Sequence, residues 1–545
     1  MENLVKQILD NLEYVDFFHS PNYWEQDDIT IGMYFHETFK NQYRFCSTAK
    51  NWYFYDGKSG VWKEDENHTI RKKEVSFVRA ILIYAQGIKS AYDKKIAEQA
   101  KQTDSEPVDL MNDGESSMER DKKKLSEEGK RVKRFYSWAA RLQSYGKRES
   151  LLKDAAAYGE FSKSDLDKDE NLLNGKDGVF NLDTGEITPH SPTYLMSKST
   201  NVEFYGKQNP DLWHNFMDTV MQGNQEMIAY LKMVFGSCLQ MGNPLQECYF
   251  LWGQSTRNGK TSTLETLGYV LGNYATSADP LTFSQGGRYK DGSKPQPDVA
   301  ALAGARFVRC PEPPKHMMLD AALLKRFTGA NEIVARTLNE KPFSFTSRAK
   351  IFFDVNDRPQ ITDTTVFDSG RIVVIPYNKH LTESEQDIRL GEKLRSQDSV
   401  NAIFQWLYEG LQKSRTADLT KRPVPVIEAI QDYAKDSDKI GEFLGENFVK
   451  TDSKKCYHIN VIYCMYDNWS RECGYTPVNK GVFMDELKSK RAWKKSGTVD
   501  GKSKRNVLVG YKLSENGEPF YRAAYRETQK DQLFQEYTGE PIYPD

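Results

Sequence analysis

The chain has 545 residues, room for three or four domains at roughly 150 residues each, and its 38% hydrophobic and 28% charged residues exclude wholesale disorder. Lys and Arg number 75 against 77 Asp and Glu, so the net charge of −2 gives no sign of nucleic acid and any basic surface must be local. Seven Cys without a CxxC pair argue against a zinc ribbon or disulfide scaffold and fit a reducing cytosol; an acid-broken amino terminus and an apolar maximum carrying Arg79 argue against a signal peptide or membrane span.

Residues 1–70 read as a small α+β module rich in aromatics, with strand, Gly-Lys-Ser-Gly turn and strand over residues 51–65. Trp52, Tyr53, Phe54, Tyr55 and Trp62 either stack on bases or fill the core of a small sheet, and the lack of interleaved basic residues favours the core. Residues 71–160 are expected to be helical around a polar break at 102–134, where both charge signs mix as in a solvated loop and helix. Asp109 and Asp113 in that break lack the strand pattern of a metal-dependent polymerase palm. Apolar residues alternate around an Asp-Thr-Gly turn at 171–190, which predicts a β-hairpin; with it, residues 71–205 form one helical-plus-hairpin domain. Strands then alternate with helices over 206–415, the pattern of an α/β domain. A linker at 415–426, a helical and basic module at 427–515 and a tail at 516–545 without a clear pattern complete the chain.

The segment CYFLWGQSTRNGKTSTLETLGYVLG (residues 248–272) places an apolar strand, a Gly-containing loop and a helix in succession. Such a loop turns backbone N–H groups toward phosphate oxygens at the positive end of the helix dipole. Lys260 can reach the β- and γ-phosphates and the Thr261 hydroxyl can ligate Mg²⁺; Gly253, Asn258, Gly259 and Ser262 complete the cradle. Two other Gly-Lys-Ser triplets, at 57–59 and 501–503, neither follow an apolar strand nor open a helix. The loop has five residues between Gly253 and Gly259 where the common pattern has four.

GQSTRNGKT resembles the phosphate loop of superfamily 3 helicases of the phage, plasmid and poxvirus replicative branch, in which Asn often precedes Gly-Lys, as Asn258 does here. ALAGARFVRCPEPP (residues 301–314) resembles the family's second motif, an apolar strand ending in an acid, here Glu312. LLKRFTGANEIVARTLNEKPFSF (residues 323–345) resembles the intervening segment and its hairpin, AKIFFDVNDRPQI (residues 349–361) the strand ending in Asn, here Asn356, and SGRIVVIPY (residues 369–377) the arginine-finger strand, here Arg371. The hairpin at 171–190 resembles part of the domain that precedes the motor. Read as residues, Glu312 is either a metal-shell and water-orienting carboxylate or a surface acid in a Pro-rich loop, and Asn356 either positions water or ends a strand. Relatives often carry two adjacent acids at this point, where here Pro311 and Pro313 flank the single Glu312, and a second Arg where Gly370 stands.

The resemblance implies a multidomain α/β protein: an AAA+-like P-loop ATPase core, an amino-terminal α+β region and a carboxy-terminal winged helix. It implies ATP and Mg²⁺ as cofactors, with Thr261 and Glu312 at the metal, Arg371 acting from a neighbouring subunit of a homo-oligomeric ring (a hexamer), and a single DNA strand in the channel gripped by Lys341. Lys325 and Arg336 are weaker channel candidates, since either could form an internal ion pair. LKSKRAWKKSGTVDGKSKR (residues 487–505) holds eight basic residues and one acid, and its helix, wing and strand resemble the winged helix that follows the motor. Lys488, Lys490, Arg491, Lys494, Lys495, Lys502, Lys504 and Arg505 are its candidates for duplex DNA. Cys456, His458, Cys464 and Cys473 match no common zinc spacing. The expected activity is ATP-dependent DNA unwinding for a phage, plasmid or other mobile element in the cytoplasm of a bacterial host. An origin-binding initiator that uses ATP as an assembly switch, a primase–helicase, and a DNA-binding protein with an inactive nucleotide fold are the alternatives.

Overall fold

The computed structural model describes residues 2–19, 28–103, 117–285, 296–337, 342–452 and 454–538. The chain divides into two compact units, residues 1–210 with 269–274 and 395–405, and residues 211–268, 275–394 and 406–545. Among the described residues no helix is long and apolar enough to cross a membrane.

In the first unit, helices Glu2–Tyr14, Asp28–Phe39, Ile70–Thr103, Ser117–Arg141 and Tyr145–Tyr158 enclose one core containing Leu12, Phe35, Phe77, Phe135 and Leu151. Helices on both sides of residue 70 share that core, so no boundary between hydrophobic cores falls there. An antiparallel sheet of Tyr43–Cys46, Asn51–Asp56 and Val61–Glu64 packs beside it. Trp62 and Tyr53 are buried against Phe161, while Trp52 and Phe54 pack on the helical core, so the aromatic run fills cores on both faces of the sheet. The stretch expected as a hairpin is a three-stranded meander, Leu172–Asn174, Val179–Asn181 and Ile187–Thr188. Asp109 and Asp113 lie outside the described residues.

The second unit is built on a parallel sheet of β1 (Cys248–Trp252), β2 (Ala275–Ser277), β3 (Phe307–Cys310), β4 (Lys350–Val355) and β5 (Ile372–Pro376), in the spatial order β5-β1-β4-β3-β2. The runs CYFLW, KIFFDV and IVVIP are apolar nearly throughout because central parallel strands are buried on both faces. Rings zip the strands together: Tyr249 stacks on Phe352 at 4.8 Å and Phe307 on Phe352 at 4.9 Å on one face, Phe250 on Phe353 at 4.8 Å on the other. The helix after β1, α1 (Lys260–Leu271), follows the loop directly, and α2 (Ala321–Thr328) follows β3. This is the five-stranded parallel sheet and strand–loop–helix order of a P-loop core.

Helix α3 (Val424–Ser437) corrects the boundary drawn at residue 427. Its Ala429 and Tyr433 join the sheet's core, with Tyr433 edge-on to Phe250 and Phe367. Val426, Ala429 and Tyr433 are buried at helical spacing, so this helix carries an apolar stripe, of which Ala429 and Tyr433 meet the sheet's core. The next core begins at Ile440 and gathers helices Lys439–Asn447, Ile459–Glu472 and Lys480–Ser489 with a hairpin of Trp493–Val499 and Lys502–Leu508. The tail is not patternless: Gly517–Thr538 is a helix whose Ala524 is buried in that same core, and Tyr521 packs edge-on against Tyr457. Among its described side chains, buried Ala524 and a few aromatic contacts leave little hydrophobic periodicity to read.

Candidate nucleotide site

β1 delivers the loop 253–259 to the carboxyl end of the sheet, and the loop's shape explains its residues. A Cβ at Gly253 would collide with Asn258 Nδ2 and lie 2.5 Å from the Tyr377 carbonyl oxygen. Gly259 has φ +88°, and a Cβ there would meet Val220 Cγ1 at 2.5 Å, so glycine is required on two counts. Asn258 is buried and donates to the Ser255 carbonyl at 2.6 Å, stapling the turn that accommodates the extra residue. Ser262 lies half-buried in the first turn of α1.

Five polar side chains from this loop, helix and two strand ends then lie together. Lys260, 2% exposed, donates from Nζ to the Gly253 carbonyl at 3.1 Å and to Asn356 Oδ1 at 2.6 Å. Asn356, just past β4, donates from Nδ2 to Glu312 Oε1 at 2.6 Å, just past β3. Burial draws the Lys260 pKa below its ordinary value, against the opposing pull of the Asp354 and Glu312 carboxylates. The Thr261 hydroxyl donates to Asp354 Oδ2 at 2.6 Å. Amides at the start of a twelve-residue helix, an ammonium, a hydroxyl and two carboxylates form a donor set that suits a nucleoside triphosphate with a hydrated divalent cation.

Asp354 was not among the sequence candidates, though a signal existed. It is the one charged residue within the apolar run IFFDV, two positions before Asn356, and alternate residues of a strand share a face. Arg309 repeats the pattern on β3, reaching Glu265 of α1 at 3.0 Å and Asp354 at 3.9 Å.

Arg371 is not brought to this cluster. It precedes β5 at the amino end of the sheet, where its carbonyl accepts from the Cys248 N–H at 2.7 Å. Its guanidinium donates to Thr328 Oγ1 at 2.8 Å and to Gln246 Oε1. The length of β1, about 17 Å at ~3.3 Å per residue, separates it from its own phosphate loop. Lys341 lies outside the described residues, though the strands leading to it, Glu332–Ala335 and Phe343–Thr346, pair antiparallel. Lys325 forms an internal pair with Asp363 at 2.7 Å. In the basic module Lys488 pairs with Asp485 at 2.6 Å and Lys490 with Asp438 at 2.5 Å. Arg491, Lys494, Lys495, Lys502 and Arg505 are exposed and Lys504 is half-buried, all but Arg491 on the hairpin.

Residues 32–222 match the family model described as D5 N terminal like, a stretch that contains the domain expected at 71–205 and begins well before it. Over 331 residues the chain is 26% identical to "Putative helicase L207/L206" of Acanthamoeba polyphaga mimivirus, covering 56% of this chain and 34% of that protein. Over 328 residues it is 25% identical to "Putative primase C962R" of African swine fever virus (strain Badajoz 1971 Vero-adapted), again covering 56% and 34%. Among solved structures, the apo A form of the NrS-1 C terminal region is similar over 57% of this chain and 78% of that one, at 13% identity and a TM-score of 0.34. The chain thus spans about a third of the length of the curated relatives it matches, and those distant relatives bear the names of a viral helicase and a viral primase.

Proposed function

We propose that this chain is an ATP-hydrolysing motor that assembles as a homo-oligomeric ring, a hexamer in the family it resembles, and unwinds DNA during replication of a virus or other mobile element. The observation that carries the reading is the convergence of Lys260, Thr261, Glu312 and Asn356 at the carboxyl ends of three adjacent parallel strands. Bound Mg²⁺ would neutralise charge on the phosphates. Lys260, now held by Gly253 and Asn356, exchanges these weak partners for phosphate oxygens. Glu312 orients the attacking water and accepts its proton, and Asn356 fixes the carboxylate that does so. Arg371 serves the site of the neighbouring subunit, since the sheet keeps it from its own. The exposed lysines of the hairpin meet duplex DNA as the wing of a winged helix, and Lys341 grips the single strand in the channel.

The test is hydrolysis of magnesium-ATP stimulated by single-stranded DNA, together with strand displacement on a forked substrate. Wild-type protein is expected to do both and Lys260→Ala neither. Absence of any heat of association with magnesium-nucleotide would overturn the reading, and hydrolysis without displacement at any loading geometry would favour the initiator switch. The relative named as a primase favours a second reading, primer synthesis coupled to the motor. Template-dependent primer made by the purified chain would establish it.

A further inference from the structure

In the family that the motor resembles, two adjacent acids commonly close the strand occupied here by β3. In this chain Pro311 and Pro313 flank Glu312, so the end of β3 carries no second carboxylate beside it. The neighbouring strand offers one. β3 and β4 are in parallel register with Cys310 opposite Phe353, so Asp354 stands one residue beyond that pair and one strand spacing, about 4.8 Å, to the side. Asp354 is 5% exposed, in a strand where Ile351, Phe352, Phe353 and Val355 surround it and the other charged residue, Lys350, lies at the opposite end. A buried carboxylate costs several kcal/mol unless something compensates it. Its protein partners are few: Oδ2 accepts from the Thr261 hydroxyl at 2.6 Å and the nearest cation, Arg309, is 3.9 Å away, while Oδ1 is not among the buried atoms left without a partner and is open to water or a ligand. Its charge, like that of Glu312, opposes the lowering of the Lys260 pKa by burial.

We propose that the acidic pair of this site is divided between two strands, with Asp354 of β4 holding the hydrated magnesium ion through Thr261 and its free oxygen, and Glu312 of β3 left to act on water. By accepting the Thr261 hydrogen bond, Asp354 turns a lone pair of that hydroxyl outward, where a cation can use it. Glu312, bridged to Asn356, is thereby relieved of the double duty that a lone acid would carry. The inference rests on the nucleotide reading above.

The experiment measures binding of a fluorescent ATP analogue to the full chain with EDTA and with Mg²⁺, and binding of Mn²⁺ to the protein–nucleotide complex by electron paramagnetic resonance. Wild type is expected to gain affinity from the metal. Asp354→Asn, close to isosteric, should keep the metal-free affinity and lose tenfold or more of the metal-dependent gain, with a matching loss of Mn²⁺ affinity. Thr261→Ala should lose the same gain, and the double variant no more than either single one. Glu312→Gln should keep the gain and lose turnover. An intact gain in Asp354→Asn, additive losses in the double variant, or loss of metal-free binding together with the melting transition would each overturn the proposal. A wild type that binds nucleotide normally while Asp354→Asn behaves like it defeats only this division of labour; a wild type that binds none defeats the nucleotide reading, and the division falls with it.

Discussion

The two ends of the parallel sheet handle buried charge in opposite ways. At the carboxyl end, polar side chains bond chiefly to one another: Lys260 to Asn356, Asn356 to Glu312, Thr261 to Asp354. At the amino end, cations are spent largely on backbone. Lys350 donates to the carbonyls of Ser237 at 2.9 Å and Gly242 at 2.5 Å, and its burial pulls its pKa down. Arg306, 1% exposed, donates to the Leu239 carbonyl. Arg422 donates to Glu247 at 2.6 Å and to the Gly370 carbonyl at 3.2 Å, and the Tyr249 hydroxyl donates to the other Glu247 oxygen at 2.6 Å. A cation held by fixed carbonyls is part of the scaffold, because its partners have nowhere else to go. A cation held by side chains that can swing away is available to a ligand.

The largest effect tests the one residue that crosses this division. Arg371 sits at the amino end, but its guanidinium is held by the side chains of Thr328 and Gln246, and the proposed function has it act at the carboxyl end of a neighbour. Arg371→Ala should retain nucleotide binding and lose on the order of 10³–10⁵ in turnover. Mixed with Lys260→Ala protein it should recover part of the activity, since some interfaces then pair an intact loop with an intact arginine. Failure to recover at every mixing ratio would place Arg371 with Arg422 and Lys350 in the scaffold.

Next in size is the scaffold itself. Arg422→Ala leaves Glu247, 2% exposed, without its ionic partner. Unpairing a buried ion costs about 3–5 kcal/mol, so the melting temperature should fall by several degrees while the folded fraction binds nucleotide as wild type does. Reduced nucleotide affinity without loss of stability would show that the two ends are coupled and would break the contrast.

The same contrast explains what the sequence made legible. The loop at the carboxyl end announces itself because phosphate chemistry demands Gly259, Lys260 and Thr261 in consecutive positions between a strand and a helix. Asp354 follows from no local spacing to the loop; it reaches Thr261 across 93 positions of chain, and only the register of β1 with β4 brings them together. The amino-end network was invisible for the same reason, since Arg422 and Glu247 are 175 positions apart and each alone reads as a surface charge. The boundary near residue 427 was misplaced because a Pro-rich entry looks like a linker whether or not the helix behind it docks on the sheet.

The hairpin extends the comparison to cations that are neither buried scaffold nor part of the loop site. Replacing Lys494, Lys495 and Lys504 by Ala should leave nucleotide binding and melting unchanged and flatten the salt dependence of duplex binding, by about 0.9 in the logarithmic slope for each phosphate no longer neutralised. Gel-shift titrations across a salt series measure it, and an unchanged slope would remove the hairpin from the DNA interface.

The smallest expected effect is a pH dependence at His458, which lies between the two behaviours. Burial lowers its pKa from 6.5, and the charges of Lys504 and Lys480 lower it further. The unfolded chain therefore takes up a proton near pH 6.5 that the folded module refuses, so this histidine's contribution is fully present above that pH and stability declines as the pH falls below it. Phosphate bound beside Lys504 opposes the lysine charge and raises the His458 pKa, so the complex takes up a fraction of a proton and duplex affinity grows slightly toward acid pH. His458→Gln should abolish this increment, two- to threefold at most, without altering the salt slope. If the increment persists in the variant, its source is another group; if it is absent in wild type as well, the face carrying Lys504 and Lys480 does not meet phosphate, and the positive charge of the hairpin serves the fold's exterior alone.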